Sequence, residues 1–130
     1  MTTTVFPAFR TTDAAATIEL LITLGFTERL IVRNEQDPAL VDHAEFALGG
    51  TGGIMFGSVR NDGSALDAVG GGSIYVVVDT EREVDRLYQE IVDLGHAIVR
   101  PVATQEHGGR EFDFRDHDGN SWGVGSYRGA

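Results

Sequence analysis

Apolar and polar positions alternate along the chain in two stretches that repeat one order of elements. Val5 to Phe9 is a short apolar run that predicts a first strand. Thr12 or Asp13 then caps a helix that carries Ala15, Ile18, Leu21 and Ile22 on one face, and Gly25 sits where a left-handed C-terminal cap is wanted. Strands are expected at Thr27–Arg33, His43–Leu48 and Ile54–Ser58, separated by Asp37-Pro38 and by the turn Gly49-Gly50-Thr51-Gly52-Gly53. In the His43–Leu48 strand Ala44, Phe46 and Leu48 share one face, with His43 and Glu45 on the other.

A polar, glycine-rich linker spans 60–72. Beyond it, Ser73–Val78 reads as a buried strand, because Ile-Tyr-Val-Val-Val fits few other places. Thr80 opens a capping box that closes on Glu83. Val84, Leu87, Tyr88, Ile91 and Leu94 form the stripe of a second helix, which Gly95 ends. Strands are expected at Ala97–Val99, Arg110–Arg115 and Ser121–Tyr127, with a tight turn at 116–120. In Arg110–Arg115 Phe112 and Phe114 oppose Glu111 and Asp113. The order is therefore βαβββ twice. Leu24-Gly25 recurs as Leu94-Gly95 and Gly57-Ser58 as Gly125-Ser126, which points to an internal duplication. The fold class is α+β: two tandem βαβββ modules in a single domain over 1–130, module one at 1–59 and module two at 73–130.

Composition narrows the function. Ten basic against twenty acidic residues give a net charge of −10, a field that disfavours nucleic acid and anionic membrane surfaces as partners. All ten basic residues are arginine, so Schiff-base lysine chemistry is excluded; no cysteine is present, so disulfides and thiolate sites are too. No stretch approaches the roughly 18 apolar residues of a membrane span, and no signal-peptide pattern opens the chain, so a cytoplasmic protein is expected.

The motifs in their order resemble the vicinal-oxygen-chelate superfamily, which includes glyoxalase, bleomycin resistance proteins and dioxygenases. Asp13-Ala14-Ala15 with Leu24-Gly25-Phe26 is similar to that family's first helix and its exit. Asp42-His43-Ala44-Glu45-Phe46 with Gly53-Ile54-Met55-Phe56-Gly57 resembles the PhnB-like subgroup, and Asp116-His117-Asp118-Gly119-Asn120-Ser121-Trp122 resembles the closing signature, with His117 where proline is usual. The resemblance implies a cup-shaped mixed sheet around a ligand cavity, and a homodimer. Metal-using members place ligands at positions that map here onto Phe6, Met55, Ser73 and Gly123. Those residue types are not a cation's donor set, so no metal or other cofactor is expected.

The candidate ligand-binding residues are Phe6, His43, Glu45, Met55, Tyr75, Glu111 and Asp113. His43, Glu45, Glu111 and Asp113 would form an acidic cluster if they converge, or would simply face solvent or a partner subunit. Phe6, Met55 and Tyr75 suit a flat or apolar ligand, and equally suit a core. Trp122, alternating with Gly123, should face the helices. Arg10 and Arg110 could hold an anion. A metal clip at Asp116, His117 and Asp118 is conceivable, though turn chemistry explains that segment. His107-Gly108-Gly109 reads as a loop at the cavity mouth. The expected function is sequestration of a small apolar or aromatic compound. The alternatives are a metal-dependent lyase, isomerase or dioxygenase with relocated ligands, and a module whose sheet binds a protein.

Overall fold

The computed structural model describes residues 3–106 and 108–130, and His107, read above as part of a loop at a cavity mouth, lies outside them. Two compact units divide the chain, 1–69 and 70–130. The first contains β1 (Ala8–Thr11), α1 (Ala14–Thr23), β2 (Thr27–Arg33), β3 (Val41–Leu48) and β4 (Gly52–Ser58). Its sheet has the order β1-β4-β3-β2, with β1 parallel to β4 and the other pairs antiparallel. The second contains β5 (Ser73–Val77), α2 (Glu81–Asp93), β6 (Ala97–Thr104), β7 (Arg110–Arg115) and β8 (Ser121–Gly125), in the order β5-β8-β7-β6 with the same pattern of pairing. Each unit is thus a βαβββ module with a mixed four-stranded sheet, the α+β architecture expected from the sequence.

The duplication extends to hydrogen-bond register. Ala8 pairs with Met55 in the first unit and Tyr75 pairs with Gly123 in the second, at offsets of 67 (75 − 8) and 68 (123 − 55) residues. Glu45 lies opposite Met55 as Asp113 lies opposite Gly123. Equivalent positions can therefore be compared one by one.

Each core follows from alternation across a two-faced sheet. Ala44, Phe46, Ile54 and Phe56 are buried in the first unit, with the Phe46 and Phe56 rings stacked 5.9 Å apart. In the second, Phe112, Phe114, Trp122 and Val124 are buried, and Tyr88 of α2 meets Phe112 edge-on at 5.1 Å. Trp122 lies on this core face, stacked against Phe114, as its alternation with Gly123 requires.

Several elements depart from the sequence pattern for identifiable reasons. β1 is displaced from Val5–Phe9 to Ala8–Thr11: Pro7 has no N–H for the ladder and contributes only its carbonyl, to the Met55 amide. The buried face of α1 is Ala14, Thr17, Leu20 and Leu21, not the face of Ala15, Ile18 and Ile22. Apolar residues surround that helix, so periodicity does not set its phase. Thr17 lies on the buried face, where its hydroxyl donates to the Thr11 hydroxyl at 2.8 Å. β5 is not buried on both faces: Val76 is enclosed while Tyr75 and Val77 are about 40% exposed. The Thr80 box closes by half, since its hydroxyl caps the Glu83 amide but the Glu83 carboxylate is taken by Arg86. β6 runs on to Thr104 through Pro101 because the strand is a sheet edge and its register slips between Arg100 and Ala103.

Within 60–69 the chain forms a short 3-10 turn at Ala65–Asp67, clamped to β1 by Arg10, which bonds Asp62 at 2.8 Å and Asp67 at 2.7 Å. Arg10 is thereby committed to its own chain rather than to an anion. Arg110 is similarly held by Asp85. Among the described residues no helix is long and apolar enough to cross a membrane.

Candidate functional site

The expected residues lie on the face of each sheet opposite its apolar core. In the first unit the register aligns Leu30, Glu45, Met55 and Ala8 across four strands. His43, two residues from Glu45, points the same way, and its Nε2 lies 2.8 Å from Glu45 Oε2. Phe6 precedes β1, and its ring lies over Gly53, where a Cβ would stand 2.6 Å from the ring's Cε1. Four of the expected residues, Phe6, His43, Glu45 and Met55, thus belong to one face.

A cavity of about 420 Å³ opens on this face, with Phe6, Arg29, Glu45, Ala47 and the turn glycines Gly49 and Gly50 in its lining. His43 and Met55 are not part of that lining. Arg29 was not among the sequence candidates. It enters through a bulge: pairing passes from Glu28–Phe46 directly to Leu30–Glu45, leaving Arg29 without a partner on β3. An inserted residue of this kind re-aims its side chain. Thr27–Arg33 shows no glycine or proline to announce the bulge, so the sequence pattern held no signal for it.

The second unit presents a different surface. Tyr75, Gly123, Asp113 and Arg100 align across its strands. The Tyr75 hydroxyl donates to Glu111 Oε2 at 3.0 Å, while Arg100 reaches Asp113 at 2.5 Å and Glu111 at 3.2 Å. Burial and the Glu111 carboxylate push the Tyr75 phenol up to about 12, so it serves as a proton-bearing donor and not as a base. Asp113 raises the Arg100 guanidinium above its usual range. The network is internally satisfied, and its carboxylates are acceptors already in use.

The positions at which the resemblance would put metal ligands do not fit a cation. Phe6 and Met55 offer a ring and a thioether, Gly123 offers nothing, and Ser73 offers one hydroxyl. There is also no room at Gly123, where a Cβ would stand 2.9 Å from the Tyr75 ring. Asp116, His117 and Asp118 do bring ligand atoms within 4.8 Å of one another. However, Asp116 already accepts four hydrogen bonds: from the Asp118 and Asn120 amides, from Asn120 Nδ2 and from Trp122 Nε1. That carboxylate organises the turn and anchors the tryptophan beneath it.

A family model described as the Glyoxalase/Bleomycin resistance protein/Dioxygenase superfamily matches residues 5–124. No curated protein matches the sequence. Among solved structures the chain is similar to TioX from Micromonospora sp. ML1, with a TM-score of 0.69 at 21% identity over 98% of each chain. It is similar to a PhnB protein from Bacillus cereus, described as a putative 3-demethylubiquinone-9 3-methyltransferase, with a TM-score of 0.68 at 23% identity over 95% of this chain and 98% of that one. The fosfomycin resistance protein FosX from Mesorhizobium loti gives 0.64 at 18% identity over 98% and 93%. At these identities the likeness is one of fold.

Proposed function

Because this chain belongs to the glyoxalase/bleomycin resistance protein/dioxygenase superfamily, we propose that it binds a small, largely apolar or aromatic compound on the sheet face that carries Phe6, without a metal ion. The observation that carries this reading is the Phe6 ring laid across Gly53 in the lining of a 420 Å³ cavity. A cavity of that size suits a small organic molecule, and this one sets an aromatic ring beside two charged side chains and turn glycines. The second unit gives little support to catalysis, since Tyr75, Glu111, Asp113 and Arg100 are occupied with one another. A PhnB-like placement within the family draws support from the central-strand motif and from the Bacillus cereus structure. A homodimer is part of the same reading, testable by light scattering.

The direct test is a thermal-shift and titration screen against a panel of aromatic compounds, run in excess EDTA and again with added divalent cations. Saturable binding in EDTA that weakens on Phe6→Ala is the expected result. Binding that appears only with a cation, or that ignores Phe6→Ala, would refute the proposal.

A further inference from the structure

The two units share a bulge but use it differently. In the first, β2–β3 pairing slips between Glu28 and Leu30; in the second, β6–β7 pairing slips between Ile98 and Arg100, 70 residues on (98 − 28, 100 − 30). In the second unit the guanidinium occupies the paired position, opposite Asp113, and is consumed there. Leu30 holds that position in the first unit, and the guanidinium belongs to the bulged residue, Arg29. The counterpart of Arg29 in the second unit is Val99.

The displacement leaves Arg29 uncommitted. Arg10, Arg86, Arg100, Arg110 and Arg128 pair with carboxylates, Arg33, Arg60 and Arg115 bond main-chain carbonyls, and Arg82 is exposed at the start of α2 without a partner among the described residues. Arg29 makes no hydrogen bond or ion pair among the described residues. It lines the same cavity as Glu45 without pairing to it. Glu45 keeps its own orientation through Oε2 and His43, and its second oxygen has no donor among the described residues. The cavity therefore offers an unpaired planar cation, an unpaired carboxylate oxygen and the Phe6 ring.

We infer that the ligand is a flat aromatic acid: its carboxylate meets Arg29, its ring meets Phe6, and a hydroxyl or amino hydrogen is donated to Glu45. This rests on the binding reading above and adds the chemical class. Guanidinium matches a carboxylate with two parallel N–H donors, a geometry that an alcohol or an ammonium group cannot use. The net charge of −10 opposes an anion at long range. At physiological ionic strength, however, distant charges are screened beyond about 8 Å, and direct contact with Arg29 dominates.

The test compares three probes by calorimetric titration and by the Arg29 Nε–Hε resonance: 4-hydroxybenzoate, its neutral analogue 4-hydroxybenzyl alcohol, and the cation tyramine. The acid should bind about tenfold more tightly than the alcohol, the factor expected of one charge-assisted contact, and should shift the Arg29 resonance. Arg29→Gln, an exposed substitution, should bring acid and alcohol to similar affinity, and Glu45→Gln should weaken both. Equal or tighter binding of the alcohol or tyramine to the unaltered protein overturns the acid class. So does an acid affinity that Arg29→Gln leaves unchanged. If the neutral probe still binds in a Phe6-dependent way, the binding reading survives alone. If no probe binds, both fall.

Discussion

Replacing Asp116 with alanine probes the most densely bonded side chain among the described residues. Asp116 is 9% exposed, and its carboxylate accepts from Trp122 Nε1 at 2.9 Å, Asn120 Nδ2 at 3.0 Å, and the Asn120 and Asp118 amides at 3.0 and 2.9 Å. Trp122 and Asn120 are each 1% exposed, so three of the four donors have no water to turn to. A buried donor stranded in this way costs about 1–3 kcal/mol. The Asp118 amide, in the more open part of the turn, recovers water. Local relaxation recovers part of the rest, so Asp116→Ala should lose about 3–5 kcal/mol, among the largest effects of a single substitution. Against a total stability of about 5–15 kcal/mol, that is a substantial share.

The assay is urea unfolding followed by fluorescence and, independently, by far-UV circular dichroism. Trp122 is the only tryptophan, so emission reports on this turn alone. With a slope near 2 kcal/mol per molar urea, the midpoint should fall by about 2 M. Asp116→Asn keeps one accepting oxygen but turns an amide donor toward the others, and should fall between. A double-mutant cycle with Trp122→Phe should show coupling of about 1 kcal/mol or more. A loss under about 1 kcal/mol with native emission retained would refute this account of the turn.

The Tyr75 phenol titrates near 12 in the folded chain against 10 when unfolded, so the unfolded chain releases its proton first. That stabilisation is complete below pH 10 and lost as pH rises through about 12; absorbance at 295 nm should show a late step that Tyr75→Phe removes. Gly123→Ala sets a Cβ against the Tyr75 ring and should cost about 1–3 kcal/mol, most of it recovered in a Tyr75→Ala background; equal costs in both backgrounds would exonerate the ring. Arg10→Ala releases Asp62 and Asp67, so amide exchange at Arg60 and Asp62, both bonded to Asp67, should accelerate with little change elsewhere. Because Arg10 holds Asp62 down to about 2 from 3.8, acid should open the same loop: its contribution is present above pH 3.8 and is lost as pH falls through about 2.

The sequence carried the fold wherever alternation met turn residues on both sides, and β2 and β7 have the bounds that pattern implies. It carried less where apolar residues surround a helix, as in α1, and where a proline sits on an edge strand, as in β6. For the candidate face, alternation put His43 and Glu45 opposite Ala44 and Phe46, whereas Phe6 and Met55 came from the positions the resemblance implies. It did not reveal Arg29, because a bulge adds one residue without changing the alternation on either side enough to mark it. Nor did it reveal that Tyr75 and Arg100 occupy Glu111 and Asp113, since which carboxylate finds an internal partner depends on cross-strand neighbours distant in sequence.

Differences at equivalent positions leave polar groups unpaired on one face and pair them on the other. Ala8 beside Met55 in the first unit corresponds to Tyr75 beside Gly123 in the second: the bulk has changed strands. Tyr75 is long enough to lie across the β8 glycines and reach Glu111, whose counterpart is His43. Ala8 carries no polar group to offer, and His43 pairs with Glu45 along its own strand. Leu30 replaces Arg100 at the paired position, which leaves Glu45 without the cation that holds Asp113. Each of these differences removes an internal partner from the first unit's face, and together they leave Arg29 and one Glu45 oxygen unpaired beside an aromatic ring. Unpaired polar groups on a sheet face carry a desolvation cost when covered by apolar surface alone. The occupant that covers this face most favourably must therefore bring an acceptor for Arg29 and a donor for Glu45, and the second unit, already supplied with both, makes no such demand.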